Sequence, residues 1–155
     1  MKPIRLFRAT ALFLLGLAST AFAQERGSSA EANMMLEQAV AQVAAAGLGQ
    51  AAVDFSAPGG KWHQKDLYVF AVKFDGTTLA HGGNKGLVGK NLIEVKDPDG
   101  KFFIKEMIEM VKAKGSGSVD YTFTDPKTKR MGQKTSYVVR IPNYDGLLGV
   151  GVYKQ

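Results

Sequence analysis

Between Ser116 and Gln155 two short turn signals cut the chain into three runs of apolar and polar residues, SVDYTFTD, QKTSYVVRIP and LLGVGVYKQ. This punctuation constrains the fold more than any other feature. Runs joined by connections as short as DPKTKRMG and NYDG must lie beside one another and run antiparallel, because a parallel pair needs a crossover of about a dozen residues or more. A three-stranded meander therefore closes the domain.

A fourth and a fifth strand lie upstream, in DLYVFAVKF and TTLAH on either side of Asp75-Gly76. Asp-Gly between apolar and β-branched runs is a strong hairpin signal, since Gly accepts positive φ freely and Asp does so more than most residues. The same stretch, FDGTTL, resembles the opening of the haloacid-dehalogenase-type phosphatase signature DxDGT[LV]. In that signature the first Asp is the nucleophile, and Lys73 stands at its position. An ammonium cannot take a phosphoryl group, so the stretch reads as a hairpin.

Two helices frame the strands. Ser28 and Glu31 have capping-box spacing ahead of a run rich in Ala, and Leu36, Val40 and Val43 recur at i, i+4, i+7, predicting a helix over about Ser29–Ala46 with Gly47 as its stop. A short helical turn and a Pro-Gly-Gly break follow. The second helix starts at Asp99 or Gly100 and ends at Gly115, with Phe103, Met107 and Met110 or Val111 on one face. Between the hairpin and this helix, HGGNKGLVGKNLIEVKDPDGK is a structured glycine-rich loop. It lacks the phosphate-cradling GxxxxGK[ST], because Asn91 follows Lys90. The order α, ββ, α, βββ predicts an α+β fold: an antiparallel sheet of five to six strands with helices and a long loop packed around it.

Ahead of this domain, residues 1–23 have the form of a signal peptide: Lys2, Arg5 and Arg8, an apolar run from Ala9 to Leu17, and Ala21-Phe22-Ala23 before the cut at Gln24. An uncleaved anchor is the minority reading. Removing the leader lowers the formal charge from +6 to 6 − 3 = +3, too mild to argue for nucleic acid. Residues 24–155 suit one domain. The absence of cysteine excludes disulfides, a thiol nucleophile and thiolate zinc, so stability rests on packing.

The linked blocks DLYVFAVKFDGTTLAHGGNKGLVGKNLIEVKDPDGKFF, KGSGSVDYTF and KTSYVVRIPNYDGLLGVGVY resemble the single Cache domains of extracytoplasmic bacterial sensors. The likeness runs from about Asn33 to Tyr153. It implies a PAS-like sheet that binds a small ligand, commonly a short organic acid, between the sheet and its long loop and helix. Gln155 follows directly on the last strand, so the expectation is a periplasmic binding or sensing module without its own output domain. Possible partners are a membrane sensor or a transporter component, and the expected state is a monomer or weak homodimer.

Strand alternation selects candidate ligand contacts. In the last strand Leu147, Gly149, Gly151 and Tyr153 share one face and Leu148, Val150 and Val152 the other. Two glycines on one face indicate close approach, by a ligand or by a packed element. Val119, Tyr121 and Phe123 fall together, as do Lys134, Ser136, Val138 and Arg140, opposite Thr135, Tyr137, Val139 and Ile141. A carboxylate needs charge-assisted donors. Lys134 is the first choice for the anion contact, with Tyr121, Tyr137 and His81 around it, although a strand-end lysine is as readily solvated. Phe123 and Trp62 are candidates for the apolar lining, and Gly149 and Gly151 for the space.

No activated nucleophile, paired carboxylates or dinucleotide fingerprint is visible, and Asp75, Asp97 and Asp99 sit in turn sequences. His81 has only His63, 18 positions earlier, as a companion, so no metal site or cofactor is expected. The reading is a small-carboxylate binding module that is not an enzyme. The alternative is a non-catalytic protein that presents the same fold to a membrane sensor.

Overall fold

The computed structural model describes residues 25–154; the expected leader, residues 1–23 with Ala21-Phe22-Ala23, lies outside the described residues. Helix α1 spans Ser29–Ser56. Its capping box forms as expected: Ser28 Oγ accepts the Glu31 N–H at 3.2 Å, and Glu31 Oε2 accepts the Ser28 N–H at 2.7 Å. The expected end at Ala46 is corrected. Gly47 does leave helical geometry, at φ +79° and ψ 155°, but the chain re-enters the helix and continues to Ser56. Ala51 and Phe55, both fully buried against the sheet, stabilise the second segment where local propensity would have let the chain stop.

The sheet comprises β1 (His63–Gln64), β2 (Leu67–Lys73), β3 (Thr78–His81), β4 (Ser116–Thr124), β5 (Met131–Arg140) and β6 (Gly146–Tyr153). The strands run antiparallel in the order β1-β2-β6-β5-β4, with β3 also paired to β2. The closing meander β4-β5-β6 is the one its short turns require. The two-residue strand β1 was not foreseen, being too short to leave a periodic signal. The β2–β3 hairpin is present with a three-residue loop: the Gly76 N–H donates to Lys73 O at 2.9 Å and the Lys73 N–H to Thr77 O at 2.9 Å. Only Gly76 takes positive φ, +92°, so this is a type I turn closed by a bulge glycine.

Period-2 alternation sends the two faces to different helices. Val69, Ala71, Leu148, Val150 and Val152 pack beneath α1. Tyr68, Phe70, Val72, Val119, Tyr121, Val138, Leu147 and Tyr153 pack beneath α2, which spans Phe103–Lys114. β2 and β6 are covered on both sides, which explains their nearly continuous apolar sequence. α2 starts later than expected because residues 97–101 form a turn around Asp97, with Gly100 at φ +82°. Asp97 Oδ1 accepts the Lys101 N–H at 2.8 Å and the Asp99 N–H at 3.0 Å, while Oδ2 accepts the Thr122 N–H at 3.1 Å. These backbone donors, Lys101 foremost, hold the carboxyl below its ordinary pKa and fasten the loop to β4. α2 ends as expected at a left-handed Gly115. Its fully buried Met107 alone contributes on the order of 1.5–3 kcal/mol of burial.

Candidate functional site

On the α2 face, register places Lys134 of β5 between Tyr121 of β4 and Tyr153 of β6. Its side chain is 1% exposed, which excludes the solvated strand-end alternative. The ammonium Nζ donates to the Tyr68 hydroxyl at 2.7 Å. It lies 4.1 Å from the ring centroid of Tyr68, 5.0 Å from Tyr153, 5.6 Å from Phe123 and 5.7 Å from Phe70. Four ring faces thus surround one cation. Desolvation lowers the Lys134 pKa to about 7, against the favourable field of Asp66 and Asp125; the ring quadrupoles also favour the charged form. Lys134 makes no salt bridge among the described residues.

Two tyrosine hydroxyls lie beside Lys134. Tyr153 donates to the Thr124 carbonyl at 2.8 Å, and its oxygen lies 3.4 Å from the Tyr68 hydroxyl. Tyr68 accepts from Lys134, so its own proton is directed either along that long contact or outward. Burial pushes the Tyr68 phenol well above its usual pKa, keeping it a donor.

Beside Tyr68, at 4.9 Å between ring centroids, stands His81, 6% exposed at the end of β3. Its Nδ1 accepts the Asn84 N–H at 3.0 Å, so the proton of the neutral ring sits on Nε2. Burial, and then the charge of Lys134, lower its pKa to about 3. Tyr68, His81 and Phe123 form the inner wall of a cavity of about 490 Å³, bordered on its outer side by Gly83 and Asn84 of the loop and by the turn carrying Pro126. Gly83 is required there, since a Cβ would come 2.6 Å from the Tyr68 ring.

Of the residues selected from sequence, the fold brings His81 and Phe123 together in the cavity wall, while Lys134 lies behind Tyr68 and does not line the cavity itself. Tyr121 shares their face, but its hydroxyl pairs with Ser136 Oγ at 3.0 Å and its ring stacks on Phe103 at 4.6 Å, so it packs the core beside the site. Tyr137 is corrected: alternation turns it to the α1 face. Trp62 is corrected too, being buried on that face edge-on to Phe55 at 4.8 Å. Nor do the two glycines make room for a ligand. A Cβ at Gly149 would strike the Phe70 ring, and one at Gly151 the Lys134 stem and Ser136 Oγ. Tyr68 and Tyr153 were missed as site residues. The available signal was that Tyr68, Phe70 and Val72 alternate onto one face of β2.

A Cache domain model matches residues 32–155. The chain belongs to the Cache domain family. Among solved structures, this Cache domain resembles a methyl-accepting chemotaxis protein from Vibrio parahaemolyticus, with a TM-score of 0.68 and 22% identity over 80% of this chain and 86% of that one. A second is a Cache chemosensory domain studied for carboxylic acid recognition, with a TM-score of 0.63 and 28% identity over 79% of this chain and 86% of that one. The sensor histidine kinase MctS of Rhizobium johnstonii is 35% identical over 89 residues, 57% of this chain and 19% of the kinase. The methyl-accepting chemotaxis protein McpP of Pseudomonas putida is 29% identical over 75 residues, 48% of this chain and 14% of the receptor. This Cache domain therefore spans a fifth or less of the curated relatives it matches. Among the described residues no helix is long and apolar enough to cross a membrane, and no cluster of His, Cys, Asp or Glu could hold a metal ion.

Proposed function

We propose that this Cache domain binds a short organic acid, as its carboxylate, in the cavity walled by Tyr68, His81 and Phe123, and acts outside the cytoplasm as a sensing module rather than an enzyme. The observation that carries this reading is a buried ammonium whose one hydrogen-bond partner among the described residues, Tyr68, also lines an open cavity. A carboxylate in that cavity can accept from the Tyr68 hydroxyl and from His81 Nε2–H, with the charge of Lys134 directly behind Tyr68. Charge-assisted hydrogen bonds of this kind are shorter and about twice as strong as neutral ones. Carboxylic acid recognition by a structural relative at 28% identity, and the sensor kinase and chemoreceptor among the curated relatives, support the reading.

The test is a thermal-shift screen of the chain from Gln24 against monocarboxylates, dicarboxylates, amino acids and amines, followed by calorimetric titration of any stabilising compound. Carboxylates should raise the melting temperature, and Tyr68→Phe should weaken their binding by about 1.5–3 kcal/mol, the range for a hydrogen bond to a charged group. Stabilisation by amines but not by acids would overturn the proposal. Export is tested separately, by the mass of the protein released by osmotic shock: a chain beginning at Gln24 is expected, and full-length chain in the membrane fraction would contradict it.

A further inference from the structure

Two buried carboxylates flank the Lys134 cluster, and neither is part of the cavity wall. Asp66, in the turn between β1 and β2, is 0% exposed, and Asp125, in the turn between β4 and β5, is 3% exposed. One guanidinium joins them. Arg26 Nη1 lies 3.0 Å from Asp66 Oδ2 and 2.7 Å from Asp125 Oδ2. The segment that carries Arg26 is itself fastened to both turns: the Gly27 N–H donates to Asp66 Oδ1 at 2.6 Å, and Lys127 Nζ donates to the Glu25 carbonyl at 2.8 Å. Arg26 also sits 6.0 Å from the ring centroid of Tyr153, one of the four rings around Lys134.

This placement matters twice. Thr124 at the end of β4 and Pro126 and Lys129 of the β4–β5 turn line the outer wall of the cavity, so whatever holds Asp125 holds that wall. Asp66 and Asp125 are also the carboxylates whose field favours the protonated form of Lys134. Arg26, its side chain 19% exposed, is the cation paired directly with the buried Asp66 and Asp125, and removing one partner of such a pair leaves an uncompensated charge in the interior.

We propose that Arg26, Asp66 and Asp125 are positioning residues of the binding cavity: the Arg26 bridge clamps the cavity-wall turn to the β1–β2 turn and, with the two carboxylates, sets the charge on Lys134. The proposal rests on the carboxylate-binding reading of that cavity, and it deepens that reading by naming what regulates the affinity. The groups facing Lys134 from the packed elements are Tyr68 on β2, His81 on β3, Tyr121 on β4 and Tyr153 on β6, with Asp66 and Asp125 on the two turns. The tyrosines are held protonated and His81 neutral, so the charged contacts nearest this set are the ion pairs of Arg26 with Asp66 and Asp125.

The test follows the titration of Lys134 itself, by NMR of a chain with 13C-labelled lysine, its signal assigned by loss in Lys134→Met. Removing one anion should lower the Lys134 midpoint, so Asp125→Asn and Asp66→Asn shift it down by about one unit; removing the cation in Arg26→Met shifts it up by a similar amount. Opposite signs are the signature of charge. A clamp that plays no part in the charge of Lys134 would, when broken in any of the three, admit water and move every midpoint up toward ordinary lysine. Uniform upward shifts, or no shift in any variant that folds, overturn the proposal; Asp66→Asn serves if Asp125→Asn does not fold. In parallel, the pH profiles of acetate, propionate and succinate affinity should move with the Lys134 midpoint in each variant. Failure of all three acids to bind the unsubstituted protein would sink the carboxylate reading, while the lysine titration would still decide the electrostatic role.

Discussion

Gly151 of β6 lies against the stem of Lys134: a methyl group at 151 would overlap Lys134 Cε and come 2.5 Å from Ser136 Oγ. The missing side chain therefore accommodates the lysine, and the lysine carries the charge toward Tyr68. Gly151→Ala should displace Lys134 from its ring cage and destabilise the domain by about 1–3 kcal/mol, the usual cost of overpacking a core. Urea denaturation measures this, and carboxylate affinity should fall in the same variant.

Lys134→Met keeps most of the apolar stem and removes a buried cation. Replacing a buried charge by an apolar group of similar volume is often neutral or stabilising, so the melting temperature at pH 6 should hold or rise. Carboxylate binding should weaken at least tenfold, about 1.4 kcal/mol. Calorimetry and a thermal melt on one preparation separate the two effects; loss of both stability and binding would mean that the lysine is a packing element.

Stability should depend on pH in two separate windows. Lys134 titrates at about 7 in the folded chain and near 10.4 when unfolded. Between these values the unfolded chain holds more protons, so unfolding free energy rises with pH across that window and is lowest below it. His81, at about 3 when folded and near 6.5 when unfolded, has the same sign in a lower window, so stability falls as pH drops from about 6.5 toward 3. Denaturation midpoints across pH should show both slopes. Lys134→Met should remove the upper one alone.

The hairpin turn is sensitive at Gly76 and tolerant at Asp75. Gly76 sits at φ +92°, and a Cβ there would come 2.5 Å from Ile93 Cβ, so Gly76→Ala should cost more than the roughly 1 kcal/mol of a simple Gly-to-Ala strain effect. Asp75 accepts the Thr77 N–H at 2.8 Å, a bond that Asn can also make. Asp75→Asn should therefore change the denaturation midpoint little, and aryl phosphate hydrolysis should be undetectable in both proteins. Hydrolysis abolished by that substitution would revive the phosphatase resemblance.

Most of the fold was legible because its determinants are local. Capping at Ser28, the glycine stop at Gly115, the Asp-Gly hairpin and the short turns of the meander act within a few residues. Alternation likewise grouped Tyr121 with Phe123 on one side of their strand and Lys134 with Ser136 and Val138 on one side of theirs, without saying which sides the sheet would bring together. The full length of α1 was not legible, since Ala51 and Phe55 hold its second segment through contacts with the sheet that outweigh the break at Gly47.

The site divides along the same line. By itself the sequence determined an antiparallel α+β sheet, the Cache resemblance, and which residues of each strand share a side. Only the tertiary structure decided what fills the space above the glycines. Phe70 stands over Gly149 because β2 pairs with β6 in that register, and Lys134 crosses Gly151 because β5 pairs with its other edge. It also decided that Tyr68 meets Lys134, 66 residues away in the chain, and that Arg26 joins the turns carrying Asp66 and Asp125. Side-chain periodicity fixes direction, whereas occupancy depends on which distant strands become neighbours, and that is set by the packing of the whole sheet.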